Sequence, residues 1–518
     1  MVRKLIKSLL EPKAYPEATT KVRLVETHVS FIFLTDRFVY KVKKPVDYGF
    51  LDFTTLDRRR FYCEEELRLN RRLCPGIYLG VVELRETRGG ASFAGDGKVI
   101  DYAVKMKRLP EERMLASLLR QNEAGPAEIA AIARVIADFH AKAARGPQID
   151  ACGSTLIIRG NWEENFRQAA PFVGVTLSAS ELAAIRRWAE RFLEEKGDLL
   201  RARVAGGFVR ECDGDLHCGN ICLDDGVCIF DCIEFNDRFR FIDTAADLAF
   251  LLMDLEYAGR PDLSALLLQE YLAATGDREM EGVLRFYKVY RAFVRGKVKS
   301  FRVNEAGIPA QEAAEAKGAA ARYFRLARGY TLTEGLAPPL VITCGLMGSG
   351  KSTLARQLSF ELALLLRRSD AVRKTIAHAS PSQAGVSYRG GIYTEELDRA
   401  TYQALLTEAR SALSGGIGMV VDATFRRRGD RDDFRALARE LGAPFFVIET
   451  RAPERLIRER LEARRHDPEE VSDGRWEHFR QQRSEFEPPA EGEAITVDSS
   501  LPVTGGVDLA LRGMGLPA

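Results

Sequence analysis

Gly345-Leu346-Met347-Gly348-Ser349-Gly350-Lys351-Ser352 has the glycine, lysine and hydroxyl spacing of a complete phosphate-binding loop. Before it, Leu340-Val341-Ile342-Thr343-Cys344 is short and apolar and reads as a buried parallel strand. After it, Thr353-Leu354-Ala355-Arg356-Gln357-Leu358 reads as a helix. A strand that turns through glycines into a helix aims backbone N–H groups and the positive end of the helix dipole at one point, where a polyphosphate fits. Gly345, Gly348, Ser349, Gly350 and Thr353 belong to that turn, Lys351 reaches the outer phosphates, and the Ser352 hydroxyl can ligate Mg²⁺. This part of the chain is therefore expected to be an α/β P-loop NTPase domain with a parallel sheet.

Downstream, Leu364 to Lys374 places Asp370 at the end of an apolar strand with Arg373 and Lys374 just beyond, at the edge where ligands bind in open α/β sheets. A helix is expected from Thr394 to Leu413. Ile417 to Thr424 then reads as a buried strand closing on Asp422, the expected water-mediated Mg²⁺ partner. Pro444 to Glu449 and Ile495 to Asp498 read as further strands. Pro453 to Arg465 reads as a helix bearing Arg455, Arg458, Arg460, Arg464 and Arg465. Most of these pair with Glu454, Glu459 and Glu462 on an exposed face, and one or two face the nucleotide.

On the phosphate loop and Ser369-Asp370-x-x-Arg373-Lys374, this half resembles the small P-loop kinases of the gluconate-kinase, zeta-toxin and polynucleotide-kinase group. The resemblance implies ATP as donor, Asp370 as the base on an acceptor hydroxyl, Arg373 as an acceptor or phosphate contact, and Arg460 or Arg464 as a lid arginine.

Upstream, Thr331 to Pro339 reads as a linker, and the 330 residues before it have another character. Val22 to Glu26, Ser30 to Leu34 and Phe38 to Lys43 read as short antiparallel strands, with Lys41 central in the last. Thr54 to Leu73 is a charged helix containing Glu64-Glu65-Glu66, followed by strands at 77–84 and 100–107. A small sheet, one helix and a lysine facing a glutamate are the parts of a kinase small lobe. The chain beyond Leu109-Pro110 is mostly helical. His140 reads as a satisfied helix histidine, and Arg291, Arg295, Lys297, Lys299 and Arg302 as a solvated basic face. Between these helices, residues 208–236 form an acidic turn and a hairpin at Asp224-Asp225-Gly226 that gathers Asp215, Asn220 and Asp231. An aspartate can accept a hydroxyl proton, while an amide oxygen and a second carboxylate can hold Mg²⁺. Cys212, Cys218, Cys222, Cys228 and Cys232 contain no Cys-x-x-Cys pair and read as buried small side chains.

Asp213-Gly214-Asp215-Leu216-His217-Cys218-Gly219-Asn220 resembles the catalytic loop His-Gly-Asp-x-His-x-x-Asn of the aminoglycoside phosphotransferase and protein-kinase-like superfamily. The resemblance implies an α+β bilobal protein-kinase-like domain, Asp215 as base, Asn220 and Asp231 as metal ligands, and Lys41 on the α and β phosphates. Glu65 is the first choice for the partner of Lys41, though Glu64 or Glu66 would serve as well. Asp213 stands where histidine is usual, and Glu26-Thr27-His28-Val29 occupies the turn where a Gly-rich loop would lie.

The two resemblances cover nearly the whole chain, in the order of a bacterial family of fused proteins. Residues 1–330 are expected to be an aminoglycoside phosphotransferase-like domain, 331–339 a linker and 340–518 a P-loop kinase domain. The expected activity is transfer of the γ-phosphoryl group of Mg·ATP to a small-molecule hydroxyl. A nucleotide-sensing regulator with one inactive module, and a polynucleotide 5′-end kinase using Arg426, Arg427 and Arg428, are the other readings. Lys plus Arg number 76 against 74 Asp plus Glu, so no global field favours nucleic acid. No apolar run reaches the ~20 residues that span a bilayer. The first ten residues read as an amphipathic helix rather than a signal peptide, and nine dispersed cysteines point to a reducing cytoplasm.

Overall fold

The computed structural model describes residues 2–49, 51–88, 90–305, 307–377, 394–464 and 476–517. The chain divides into two compact units, one of Met1–Arg167, Ala189–Asp254 and Leu266–Arg291, the other of Gln168–Trp188, Leu255–Ala265 and Ala292–Ala518. The fold is a bilobal α+β kinase-type domain followed by an α/β P-loop domain.

The first unit carries an antiparallel sheet of β1 (Arg23–Glu26), β2 (Ser30–Leu34), β3 (Phe38–Lys43), β4 (Tyr78–Thr87), β5 (Gly90–Ser92) and β6 (Val99–Lys107), in the order β1-β2-β3-β6-β4-β5. Side chains alternate across a strand. Tyr40 and Val42 of β3 therefore join Phe31 and Phe33 of β2 in one apolar core, each such burial stabilising by about 1.5–3 kcal/mol. Lys41 and Lys43 take the opposite face. Helix Leu56–Asn70 covers that face; it starts where the Thr55 hydroxyl accepts the Arg58 N–H at 3.3 Å, with Asp57 in its first turn. Its buried side is Arg59, Cys63, Glu66, Leu69 and Asn70. The remainder is mostly helical, with two short antiparallel pairs: β7 (Val209–Glu211) with β10 (Phe241–Asp243), and β8 (Ile221–Asp224) with β9 (Gly226–Ile229). Cys228, expected as a buried thiol, is joined to Cys74 in a disulfide, because the hairpin brings it under the turn that follows helix Leu56–Asn70. Cys212, Cys222 and Cys232 are buried thiols, as expected.

In the second unit, β11 (Leu340–Cys344), β12 (Leu365–Arg368), β13 (Met419–Asp422), β14 (Phe445–Arg451) and β15 (Ile495–Asp498) form a parallel sheet in the order β12-β13-β11-β14-β15. Two apolar clusters cover its faces, one containing Ile342, Leu405 and Phe434, the other Val341, Leu358 and Val507. Covered on both faces, β11 is buried along its whole length, which is why its sequence is a continuous apolar run rather than an alternating one. Helix Ala310–Leu332 continues through Thr331 and Leu332, two residues into the expected linker. No helix among the described residues is long and apolar enough to cross a membrane.

Candidate active sites

In the kinase-type domain, Lys41 lies opposite Ile32 on one side and Val104 on the other, in the middle of three hydrogen-bonded strands. Its Nζ donates to Glu66 Oε1 at 2.9 Å and also pairs with the Asp231 carboxylate. The helix partner is thus Glu66 and not Glu65: Glu66 falls on the buried side with Cys63 and Asn70, whereas Glu65 points outward and accepts from Arg68 at 2.9 Å. Burial pushes the Glu66 carboxyl up, but the Lys41 and Lys43 ammonium groups outweigh it and bring it to about 2.

Asp231 sits two residues beyond β9 with φ of +67°, a left-handed conformation that costs a non-glycine residue about 1 kcal/mol. Neighbours hold it there. The Asp231 N–H donates to the Tyr78 hydroxyl at 3.1 Å, and the Cys232 N–H donates to Asn70 Oδ1 at 2.9 Å. Asn220 is brought alongside by its carbonyl, which accepts the Phe230 N–H at 3.0 Å.

The loop carrying Asp215 hangs from a buried carboxylate. Asp247 accepts the N–H groups of Asp213 and Gly214 at 3.0 and 2.8 Å, and lies 3.1 Å from His140 Nε2. Burial pushes Asp247 up, yet the hydrogen bond with His140 and the Arg291 charge help to outweigh it and hold it below its usual range. Arg291 closes the loop from the other side, donating to the Gly214 carbonyl at 3.1 Å. Arg291 is buried, so it is not part of a solvated basic face. His140 is satisfied on both ring nitrogens, since Nδ1 lies 2.8 Å from the Tyr271 hydroxyl. Gly214 has φ of +88°, and a Cβ there would meet the Phe239 carbonyl at 2.7 Å, so only glycine fits.

Asp213, the departure from the family pattern, is buried, and its Oδ1 accepts the Asp215 N–H at 3.1 Å. Burial, reinforced by the neighbouring Asp247, pushes its carboxyl well above the usual carboxylate range, and it acts as a buried support for the loop. Asn220 Nδ2 donates to Asp215 Oδ2 at 3.2 Å, and His217 Nε2 lies 3.5 Å from the same oxygen. The fold therefore joins Lys41, Glu66 and Asp231 in one group and Asp215, Asn220 and His217 in another, with Asn220 and Asp231 held adjacent by the hairpin.

In the P-loop domain, helix Lys351–Glu361 begins at Gly350, which has φ of +92°; a Cβ there would lie 2.8 Å from Ser499 Cβ. Lys351 Nζ donates to the Leu346 carbonyl at 2.7 Å, and Ser349 Oγ is 2.7 Å from Thr450 Oγ1. Gly345 and Gly348 complete the loop, and Ser352 and Thr353 follow on the first helical turn. Arg460 bridges to this loop, donating to Ser499 Oγ at 2.9 Å and lying 3.4 Å from the Gly348 carbonyl. Arg464 closes helix Glu454–Arg464; its side chain, and all of Arg465, fall outside the described residues. Asp422 is buried at the end of β13, 3.3 Å from Thr343 Oγ1 and 3.5 Å from Arg368 Nε. Asp370 is the second residue of helix Ser369–Ile376, directly after β12. Arg373 donates to it at 3.1 Å and to Asp398 at 2.8 Å.

Four residues at the first site escaped sequence reasoning: Lys43, Glu234, Asp247 and Arg291. Lys43 carried a signal, since it lies two residues from Lys41 and must share its strand face. The spacing Cys63-Glu66-Asn70 likewise marks the buried side of its helix. Asp247 and Arg291 carried none, because their partners lie far away in sequence.

The description "phosphotransferase enzyme family" matches residues 61–287, and "AAA domain" matches residues 340–489. Uncharacterized proteins of Mycobacterium tuberculosis and Mycobacterium bovis are 32% identical over 421 residues, covering 81% of this chain and 80% of theirs. The chain belongs to the family of these mycobacterial proteins, a phosphotransferase-type kinase domain fused to a P-loop domain. Among solved structures, an unliganded sugar kinase from Janibacter is 21% identical over 34% of this chain and 95% of its own, with a TM-score of 0.28. A gluconokinase from Sinorhizobium meliloti is 19% identical over 35% of this chain and 93% of its own, with a TM-score of 0.26. Likeness at that level carries nothing about substrate.

Proposed function

We propose that both domains bind Mg·ATP and that at least one transfers the γ-phosphoryl group to a hydroxyl of a small-molecule acceptor in the cytoplasm. The observation that carries this reading is the grouping of Lys41, Glu66 and Asp231 beside Asp215 and Asn220, in a chain that also holds a complete phosphate loop.

The residues fit the ligand. In the first domain Lys41 offers an ammonium group beside Asp231, Asp231 offers a carboxylate whose side chain is 44% exposed, and Asn220 spends its Nδ2 on Asp215, leaving its amide oxygen for a cation. In the second, Gly345, Gly348, Ser349, Gly350 and Thr353 supply the phosphate cradle, Lys351 supplies the charge, and Ser352 with Asp422 would hold the metal. When bound, Mg·ATP supplies the electrophilic phosphorus and a stabilised leaving group. The chain's own work is to hold a hydroxyl and accept its proton. Asp215 does so in the first domain, oriented by Asn220; Asp370 does so in the second, oriented by Arg373. Arg460 is placed to meet charge at the rim of the phosphate loop.

The arginines that would serve a polynucleotide end are already engaged: Arg426 by Asp398, Arg427 by Glu395 and Arg428 by Asp432. The small-molecule reading is favoured for that reason. The test is ADP formation by the full chain against sugars, aminoglycosides, nucleosides and oligonucleotide ends. Acceptor-stimulated turnover is expected, and Asp215→Asn or Asp370→Asn in the responsible domain should lower it by about 100- to 10,000-fold. No stimulation by any acceptor, or full turnover in the doubly substituted chain, overturns the proposal.

A further inference from the structure

Lys41 shares Glu66 with a second lysine. Lys43 Nζ donates to Glu66 Oε2 at 2.7 Å while Lys41 holds Oε1 at 2.9 Å, so both oxygens of one buried carboxylate are taken from the same strand face. Lys43 also pairs with Glu234, and its Nζ sits 5.0 Å from the centre of the Phe53 ring. The result is a chain of five charged groups running Asp231, Lys41, Glu66, Lys43, Glu234.

The two ends differ. Lys43 and Glu234 are 1% and 6% exposed, shut away from water, whereas the Asp231 side chain is 44% exposed. On the proposed function, on which this inference rests, Lys41 has to turn its ammonium group to phosphate oxygens and Asp231 its carboxylate to a metal. Their mutual ion pair must then part. Glu66 cannot follow, because it is wholly buried and a carboxylate left there without compensation is strongly disfavoured. A lone Lys41 would therefore be pinned to Glu66 by the cost of leaving it. Lys43 removes that penalty by keeping its own hydrogen bond to Oε2, and Glu234 keeps Lys43 from being drawn after the departing charge.

We propose that Lys43 and Glu234 are positioning residues, a second buried ion pair that keeps Glu66 compensated so that Lys41 can swing from Glu66 and Asp231 to the nucleotide phosphates. Burial alone would lower Lys43, yet Glu234 and Glu66 raise it above its usual range, which favours its charged form; burial and Glu66 push the Glu234 carboxyl up, and Lys43 is the largest effect opposing that.

The experiment uses the full chain carrying Lys351→Ala, so that the phosphate loop no longer dominates nucleotide binding, and compares affinities for Mg·ATP and for adenosine by competition with a fluorescent nucleotide. Adenosine lacks the phosphates that Lys41 serves. Glu234→Gln is expected to weaken Mg·ATP about 10-fold while leaving adenosine within about twofold, and Lys43→Met to weaken Mg·ATP at least as much. The double variant should be no weaker than Lys43→Met alone, since the two residues act as one pair, and Lys43→Arg should restore most of the affinity. Glu234→Gln keeps shape and hydrogen bonding, so it carries the test if Lys43→Met fails to fold. Equal weakening of Mg·ATP and adenosine, or Mg·ATP affinity unchanged in Glu234→Gln, overturns the inference and leaves the pair a structural ion pair. If the Lys351→Ala chain binds neither ligand before Lys43 or Glu234 is touched, the nucleotide reading of the first domain has failed, and the inference falls with it.

Discussion

In the P-loop domain the residues proposed to hold phosphate lie in one short stretch, Gly345 to Thr353, where most of the donors on offer are backbone N–H groups. In the kinase-type domain Lys41, Glu66, Asp215, Asn220 and Asp231 arrive from separated segments, and the groups they present to one another are side chains. A backbone site is indifferent to its neighbours' charges once the turn is formed. A side-chain site has to be balanced: the Lys41 cluster sets two ammonium groups against three carboxylates in a largely buried space, and the catalytic loop hangs from one buried aspartate. The first kind of site should fail locally and the second collectively.

Glu66→Gln tests the collective case most severely. It leaves two buried lysines facing an amide, and should cost the first domain about 3–5 kcal/mol, read as a lower denaturant midpoint. A loss below about 1 kcal/mol would mean the cluster is not balanced as described. Lys351→Ala tests the local case. Titration calorimetry should show affinity for Mg·ATP at the phosphate loop falling about 100-fold, with the thermal midpoint nearly unmoved, because its hydrogen bond to the Leu346 carbonyl is replaced by water. Asp247→Asn removes one of the oxygens that suspend the catalytic loop; turnover at the first domain should drop about 10-fold or more while Mg·ATP affinity, set elsewhere, holds.

The P-loop domain has its own charged support, and acid will find it. Burial pushes the Glu493 carboxyl up, but hydrogen bonds from Arg431, the Ala490 N–H and Arg435 outweigh it and bring it to about 2. A folded value below the unfolded one means that the added stability is fully present above pH 4.5 and is lost as pH falls through about 2. Unfolding followed between those limits should show this limb in the wild type and a flatter one in Glu493→Gln. The smallest effect expected is that of Glu65→Gln: its partner Arg68 is half exposed, so stability should move by no more than about 0.5 kcal/mol. Glu65 and Glu66 are adjacent in sequence and an order of magnitude apart in expected consequence. If the two substitutions had equal effects, the placement of the helix would be wrong.

Sequence by itself determined the two fold classes, the phosphate loop and the catalytic-loop motif. These rest on local patterns: a strand, a glycine turn and a helix in series, and residues fixed by spacing within one short loop. It also located β11 and β13 to within two residues of their observed ends, because a strand buried on both faces is an uninterrupted apolar run. Tertiary structure alone decided which of three consecutive glutamates meets Lys41, that Arg291 turns inward to a carbonyl, that Cys228 bonds Cys74, and that Asp213 is a buried support for the Asp215 loop. Each of those outcomes depends on burial and on partners distant in sequence. The energy of a buried charge is set by what stands within a few ångströms of it, and no local pattern in the chain records that.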